Sequence, residues 1–305
     1  MQSLGWAATL EAVGWSVVVC GRAFAAVNAT PRGVYIRFQR PAQLDLAAIA
    51  ELRARSGAYR IFVEPSHDLE VCHLDGQRTR ARFDRQAPGT FLGPLEAAGW
   101  EVSRETIGPS KTRVVSLEPS PEVLLASFSP SQRRNVRHAV ERHPTRFEVV
   151  PFDDLDPVTI GEVERCYRDA MAFNPNIGDD WNFRCALKQS FGPGGDLILA
   201  RVDGAVEGVA YLLRHDRVAT FYAAFCSRAG RALDVPSGVV WTAMRHARAL
   251  GCDLFDFYGV HDERSPERNG SYKGFTDFKA RFGGASVYFP PSLDVVPTAP
   301  DASAD

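Results

Sequence analysis

The sequence predicts a mixed α/β (α+β) chain of two domains, on three observations. Its 305 residues exceed what one ordinary hydrophobic core organises, so about two domains are expected. Each half mixes apolar residues at helical spacing with short β-branched and aromatic runs. The composition is globular, 45% hydrophobic and 24% charged, and no apolar run approaches the ~18 residues that span a bilayer.

In the first half, Leu4 to Trp15 has helical apolar spacing. Ser16–Cys20 and Val34–Phe38 follow as strands, and Leu44 to Leu52 as an amphipathic helix. Tyr59–Val63 is a strand stopped by Pro65, and Phe91 to Gly99 a further helix closed by its glycine. The second half opens near Thr112 with the strand Val114–Leu117. Ser120-Pro121 and Ser129-Pro130 are each an N-cap with a first-turn proline, starting helices to Phe128 and to about Arg142. Helices over Ile160–Met171 and Trp181–Ser190 come next. Leu197–Val202, Ala205–Arg214 and Val218–Phe225 are strands joined by short turns, the first at Asp203-Gly204. Pro236 opens a helix that Gly251 closes, and Leu254–Tyr258 is a buried strand. The expected domains are 1–112 and 113–283, with 284–289 returning to the first and the Pro- and Asp-rich 290–305 a disordered tail.

The opening Met1-Gln2-Ser3-Leu4 lacks a basic n-region, so no secretory signal is expected. Six scattered cysteines without a C-x-x-C pair argue against a metal site and a disulfide framework, and fit a reducing cytoplasm. The net charge of −2 gives no reason to expect DNA binding; any polyanion must meet a local basic patch. One such patch is Arg133-Arg134-Asn135-Val136-Arg137, in the first turns of a helix. Cations there oppose the helix dipole, whereas arginines beside free N–H groups suit a bound anion. Arg133 and Arg137 share a face, being four apart. A merely solvated basic face is equally compatible with the pattern.

Five segments, taken in order, carry a resemblance. They are Val34 to Pro41, Tyr59 to Pro65, Arg133 to Ala139, Gly251 to Gly259, and Phe278-Lys279-Ala280-Arg281-Phe282-Gly283-Gly284. They resemble the FemABX family of peptidoglycan bridge-forming aminoacyltransferases, in the short form without a coiled-coil insertion. The resemblance implies two acetyltransferase-like (GNAT-like) domains, each a twisted mixed sheet flanked by helices. It also implies transfer of an amino acid from aminoacyl-tRNA to the stem-peptide amine of a UDP-linked or lipid-linked precursor. No cofactor is implied, the enzyme would be cytoplasmic, and peripheral contact with the inner membrane face would accompany a lipid-linked acceptor.

The match carries the family's essential lysine to Lys279, whose cation would stabilise the oxyanion or the ribose leaving oxygen. Glu64 falls where the family has an acidic residue near the acceptor; by itself it reads equally as a solvated carboxylate. Tyr222 matches a tyrosine that touches the precursor, or else fills the core, and Phe278, Arg133, Arg137 and Arg37 complete the expected substrate-binding set. Asp256, between Phe255 and Phe257, is expected to be paired inside its domain. Two departures concern the precursor's phosphates: no lysine follows Trp6, and Asp179 and Phe183 stand where relatives have Arg and Tyr. The alternatives are an acyl-CoA-dependent N-acyltransferase and a non-catalytic precursor- or tRNA-binding relative. Gln189-Ser190-Phe191-Gly192-Pro193-Gly194 formally matches a CoA loop, but it follows a helix and Pro193 removes a donor.

Overall fold

Met1–Ser110 and Tyr288–Asp305 form one compact unit, and Lys111–Val287 forms a second. The computed structural model describes residues 3–66, 68–73, 75–82, 95–142, 145–174, 180–264 and 272–295.

In the first unit, helix α1 (Leu4–Ala12) buries Trp6 and Leu10 and is capped by Ser3. Strands β1 (Ser16–Cys20), β2 (Ala23–Thr30) and β3 (Gly33–Gln39) form an antiparallel meander. β2 escapes sequence reading because its alanines have low strand propensity. The expected helix over Leu44–Leu52 is corrected at its start. Gln43–Asp45 is a short strand β4, and the Asp45 carboxylate caps the Ala48 N–H at 3.0 Å, so α2 runs Leu46–Ser56. Gly57, at φ 62°, ends it in the left-handed conformation. The chain then enters β5 (Arg60–Glu64), parallel to β3. β4 joins β6 (Asp68–Cys72) and β7 (Arg78–Arg82) in a separate three-stranded sheet. Of the helix expected over Phe91–Gly99, residues 91–94 lie outside the described residues and 95–97 are helical.

The tail from Pro290 is also corrected. Leu293–Val295 is a strand, β16, inserted between β5 and β8 (Glu101–Val102), with Leu293 fully buried. The Arg60 guanidinium holds Asp294 bidentately at 2.7 and 2.8 Å, the strongest common ion-pair geometry.

The second unit is built on a seven-stranded sheet. β10 (Thr145–Pro151), β11 (Gly195–Val202), β12 (Ala205–His215) and β13 (Val218–Cys226) are antiparallel neighbours. Asp203 and Gly204, both at positive φ (48° and 85°), make the expected tight hairpin. β10 was not anticipated, although Phe147 and Val149 pack on the core between exposed Arg146 and half-buried Glu148. β14 (Leu254–Gly259) runs parallel to β13, and β9 (Lys111–Ser116) antiparallel to β14. The segment 284–289 is corrected too: Ala285–Tyr288 is strand β15, beside β9 in this second sheet.

Helices α3 (Pro121–Ser127) and α4 (Pro130–Arg137) start at their Ser-Pro caps, and a π-helical turn over His138–Arg142 continues α4. α5 (Pro157–Phe173) and α6 (Trp181–Phe191) follow. After the short α7 (Arg228–Ala232), α8 (Val235–Ala249) lays Val235, Val239, Val240, Ala243 and Met244 into the core. α9 (Lys273–Ala280) precedes β15.

Candidate active site

The parallel pairing of β13 with β14 runs only from Val218–Leu254 to Thr220–Asp256. Where it stops, both strands carry a bulge. Against β12, Phe221 faces Leu212 and Ala223 faces Tyr211, so Tyr222 is an extra residue in the register. Against β9, Asp256 faces Val114 and Gly259 faces Thr112, again with one residue too many. The second bulge holds Tyr258 at φ 58°, a left-handed conformation costing an aromatic residue about 1–3 kcal/mol. Bulges re-aim side chains, and here the two bulge tyrosines meet, with ring centroids 5.0 Å apart.

Asp256 is paired inside the domain, as expected, and its partners hold this turn. Its Oδ1 accepts from the Tyr258 N–H at 2.7 Å and from the Thr112 hydroxyl, which also lies 2.7 Å from the Tyr258 carbonyl oxygen. The strain at Tyr258 is thus offset by local hydrogen bonds.

Lys279 approaches from the last turn of α9. Its Nζ donates to the Gly259 carbonyl at 2.6 Å, the residue directly after Tyr258. The side chain is half-buried, and burial pushes its pKa down to about 8 against the opposing pull of the Asp256 carboxylate. One ammonium proton is engaged by Gly259, and no other acceptor for it is found among the described residues.

The rest of the Phe278–Gly284 motif positions this lysine. Phe282 is fully buried, with its ring 5.1 Å from Phe128 and 5.4 Å from Phe257. Phe278 stacks edge-on to Phe282 at 5.2 Å and packs against the same core, anchoring α9. Gly283 and Gly284 have φ of 80° and 75°, and a Cβ on Gly284 would sit 2.2 Å from the Val114 carbonyl oxygen. Only glycine fits that approach. Arg113 fixes the turn by donating to Gly283 O at 2.5 Å and Gly284 O at 2.9 Å.

The other expected site residues have different tasks. Arg133 does not offer its Nη1 to a ligand: that nitrogen donates to the Ala126 and Phe128 carbonyls at 2.9 and 2.6 Å, satisfying the end of α3. Arg137 is exposed on α4. In the first unit, the Arg37 guanidinium stacks 3.9 Å over the Trp15 ring. Glu64, also there, is only 1% exposed, which excludes the solvated carboxylate. Its Oε1 accepts from the Ile107 and Gly108 N–H groups at 2.5 and 2.7 Å and so holds that loop. Asp179 lies outside the described residues. Gln189–Gly194 spans the end of α6 and a 3-10 turn, not a helix start. Sequence reading missed Thr112, Tyr258 and Gly259; the Phe-Tyr-Gly ending of β14 was the available signal.

No helix among the described residues is long and apolar enough to cross a membrane. The sequence matches no curated protein. Residues 127–274 match the family profile described as acetyltransferase (GNAT) domain. Among solved structures, FemX is similar with a TM-score of 0.78 at 16% identity, covering 97% of this chain and 92% of that one. The C-terminal domain of a protein described as a lysylphosphatidylglycerol synthetase, from Agrobacterium fabrum, gives a TM-score of 0.60 at 16% identity, with coverages of 98% and 89%. A tandem GNAT protein from the clavulanic acid biosynthesis pathway gives 0.53 at 13% identity, with 93% and 83% covered. The chain therefore has a FemX-like tandem acetyltransferase fold, with mixed sheets flanked by helices.

Proposed function

We propose that this protein transfers an amino acid from aminoacyl-tRNA to the stem-peptide amine of a UDP-linked or lipid-linked peptidoglycan precursor. The observation that carries this reading is Lys279, a half-buried ammonium held on Gly259 beside the two bulge tyrosines. Likeness to FemX over 97% of the chain supports it.

In the reaction the amine nitrogen attacks the ester carbonyl, forming a C–N bond and a tetrahedral oxyanion. The C–O bond to the tRNA ribose then breaks; overall the amine gives up one proton and the ribose oxygen gains one. With a pKa near 8, Lys279 is mostly protonated at neutral pH. It is also close enough to neutrality to pass a proton to the departing oxygen. A fixed cation in a site of low polarity stabilises the oxyanion without reorganising at the moment of reaction. The aminoacyl ester is already activated, so the transfer calls on no cofactor. A cytoplasmic site of action follows from the co-substrate, with peripheral membrane contact if the acceptor is lipid-linked.

A second reading, acyl-CoA-dependent transfer, is favoured by the acetyltransferase profile over residues 127–274. The deciding experiment supplies purified protein with a peptidoglycan precursor and either charged tRNA or acetyl-CoA. Transfer from tRNA is the expected result. Transfer from acetyl-CoA alone would replace the proposal, and binding without transfer from either donor would point to a non-catalytic role.

A further inference from the structure

Helix α6 carries two cations on its buried face, one turn apart. Arg184 is 8% exposed and Lys188 6%. Neither is fully neutralised. Arg184 Nε donates to Asp180 at 2.7 Å, but its Nη1 has no hydrogen-bond partner, nor does the Lys188 ammonium, among the described residues. The Tyr211 hydroxyl, on a side chain of 0% exposure, is likewise unpartnered. Among the described residues, three buried polar groups able to donate are thus left without acceptors, in a protein interior where such groups are nearly always satisfied.

The surroundings are aromatic. The guanidinium carbon of Arg184 lies 5.2 Å from the Tyr167 ring and 5.5 Å from those of Tyr211 and Phe225. Lys188 Nζ is 4.9 Å from the Trp181 ring, which stacks on Tyr167 at 5.4 Å. Ring faces attract cations but accept no strong hydrogen bonds from them. Asp180 supplies one negative charge against two positive ones, and its Oδ1 already serves both Arg184 and Tyr167. Glu164, a carboxylate whose charge reaches Lys188, pairs with Arg168 at 3.3 Å. Burial depresses the Lys188 pKa, outweighing the smaller opposing charges, Glu164 among them.

We infer that Arg184, Lys188 and Tyr211 form a binding site for one singly charged oxyanion, a carboxylate or a phosphodiester. The net charge of +1 matches a single negative charge, and the unused groups offer three hydrogen-bond donors to its oxygens. The site adjoins the candidate active site through the sheet, since Tyr211 pairs with Ala223 across the bulge that displaces Tyr222. It uses none of the residues assigned to transfer, and it is read by binding alone. Its failure would therefore leave the proposed reaction untouched, and the reverse holds too.

The test measures thermal unfolding of the full chain in sodium acetate, sodium dimethyl phosphate and sodium chloride at matched ionic strength. Acetate or dimethyl phosphate should raise the midpoint by about 2 °C or more over chloride, and the more effective salt identifies the oxyanion class. Tyr211→Phe keeps the ring and removes only the hydroxyl, while Lys188→Met keeps the chain length and removes the charge. In each, the anion concentration giving half the effect should rise about tenfold or more. Without anion, Lys188→Met should be no less stable than the parent, because it removes an unpaired buried charge. No oxyanion effect beyond chloride, or one undiminished in either variant, would overturn the inference.

Discussion

The ammonium nitrogen of Lys279 lies 2.6 Å from the carbonyl oxygen of Gly259, so the end of α9 is pinned to the point where β14 leaves its parallel partner. Gly259 follows Tyr258, whose left-handed turn is held by Asp256 and Thr112. One hydrogen bond thus couples the cation to the strained strand end that faces Tyr222.

If Lys279 acts as the cation and proton donor, its removal should fall on the chemical step. Lys279→Ala should lower kcat for tRNA-dependent transfer by about 10²–10³-fold with a smaller change in KM. The parent rate should fall as pH rises through about 8, where Lys279 loses its proton. Lys279→Arg should lose that limb, because arginine stays charged. A parent profile flat to pH 9.5 would remove the lysine from proton transfer.

The same depressed pKa makes a stability prediction. Between about 8 in the fold and the ordinary 10.5, the unfolded chain holds a proton that the folded chain has released. Stability contributed by this group should therefore rise with pH across that window and be flat below it. Urea unfolding of the parent and Lys279→Met at pH 7.5 and 10 checks this. The parent should gain on the variant as pH rises; an unchanged difference would mean that burial does not perturb the lysine.

Glu64 is assigned to its loop, so its loss should appear as instability. Glu64→Gln weakens the charge-assisted acceptor of Ile107 and Gly108 and should cost about 1–3 kcal/mol, read by denaturant titration. Transfer well below the melting range should stay within a few-fold of the parent. A hundredfold loss in a folded variant would return Glu64 to the reaction.

Gly284→Ala should be among the most damaging single substitutions. It combines φ 75° with a methyl 2.2 Å from a backbone oxygen, and nothing flexible can yield. Soluble expression should drop, or the midpoint fall by the equivalent of about 3 kcal/mol or more. Gly99→Ala, at φ 80° with open space around it, should cost only about 1 kcal/mol.

Much of the architecture is local and was legible. Ser120-Pro121 and Ser129-Pro130 are caps whose chemistry acts within one turn, and both start helices as expected. Asp203-Gly204 carries its hairpin geometry in its own backbone preferences. The Phe278–Gly284 motif singled out Lys279 before its surroundings were known. β16 was hidden because three residues of strand are stabilised almost wholly by their neighbours, here β5, β8 and the Arg60 guanidinium. The Arg133 contacts were hidden because their acceptors, the free carbonyls at the end of α3, exist only once α3 and α4 have folded together.

The sequence by itself determined the two-part α/β plan, the capped helices, the Asp203-Gly204 hairpin and the nomination of Lys279, because each follows from periodicity, backbone preference or a short motif. Tertiary structure alone decided that Tyr222 and Tyr258 meet, that Glu64 holds a loop, and that Arg184 and Lys188 are buried without full compensation. A bulge is a mismatch between two strands, and a missing partner is a property of everything packed around a group. Neither is encoded in the order of residues along one segment.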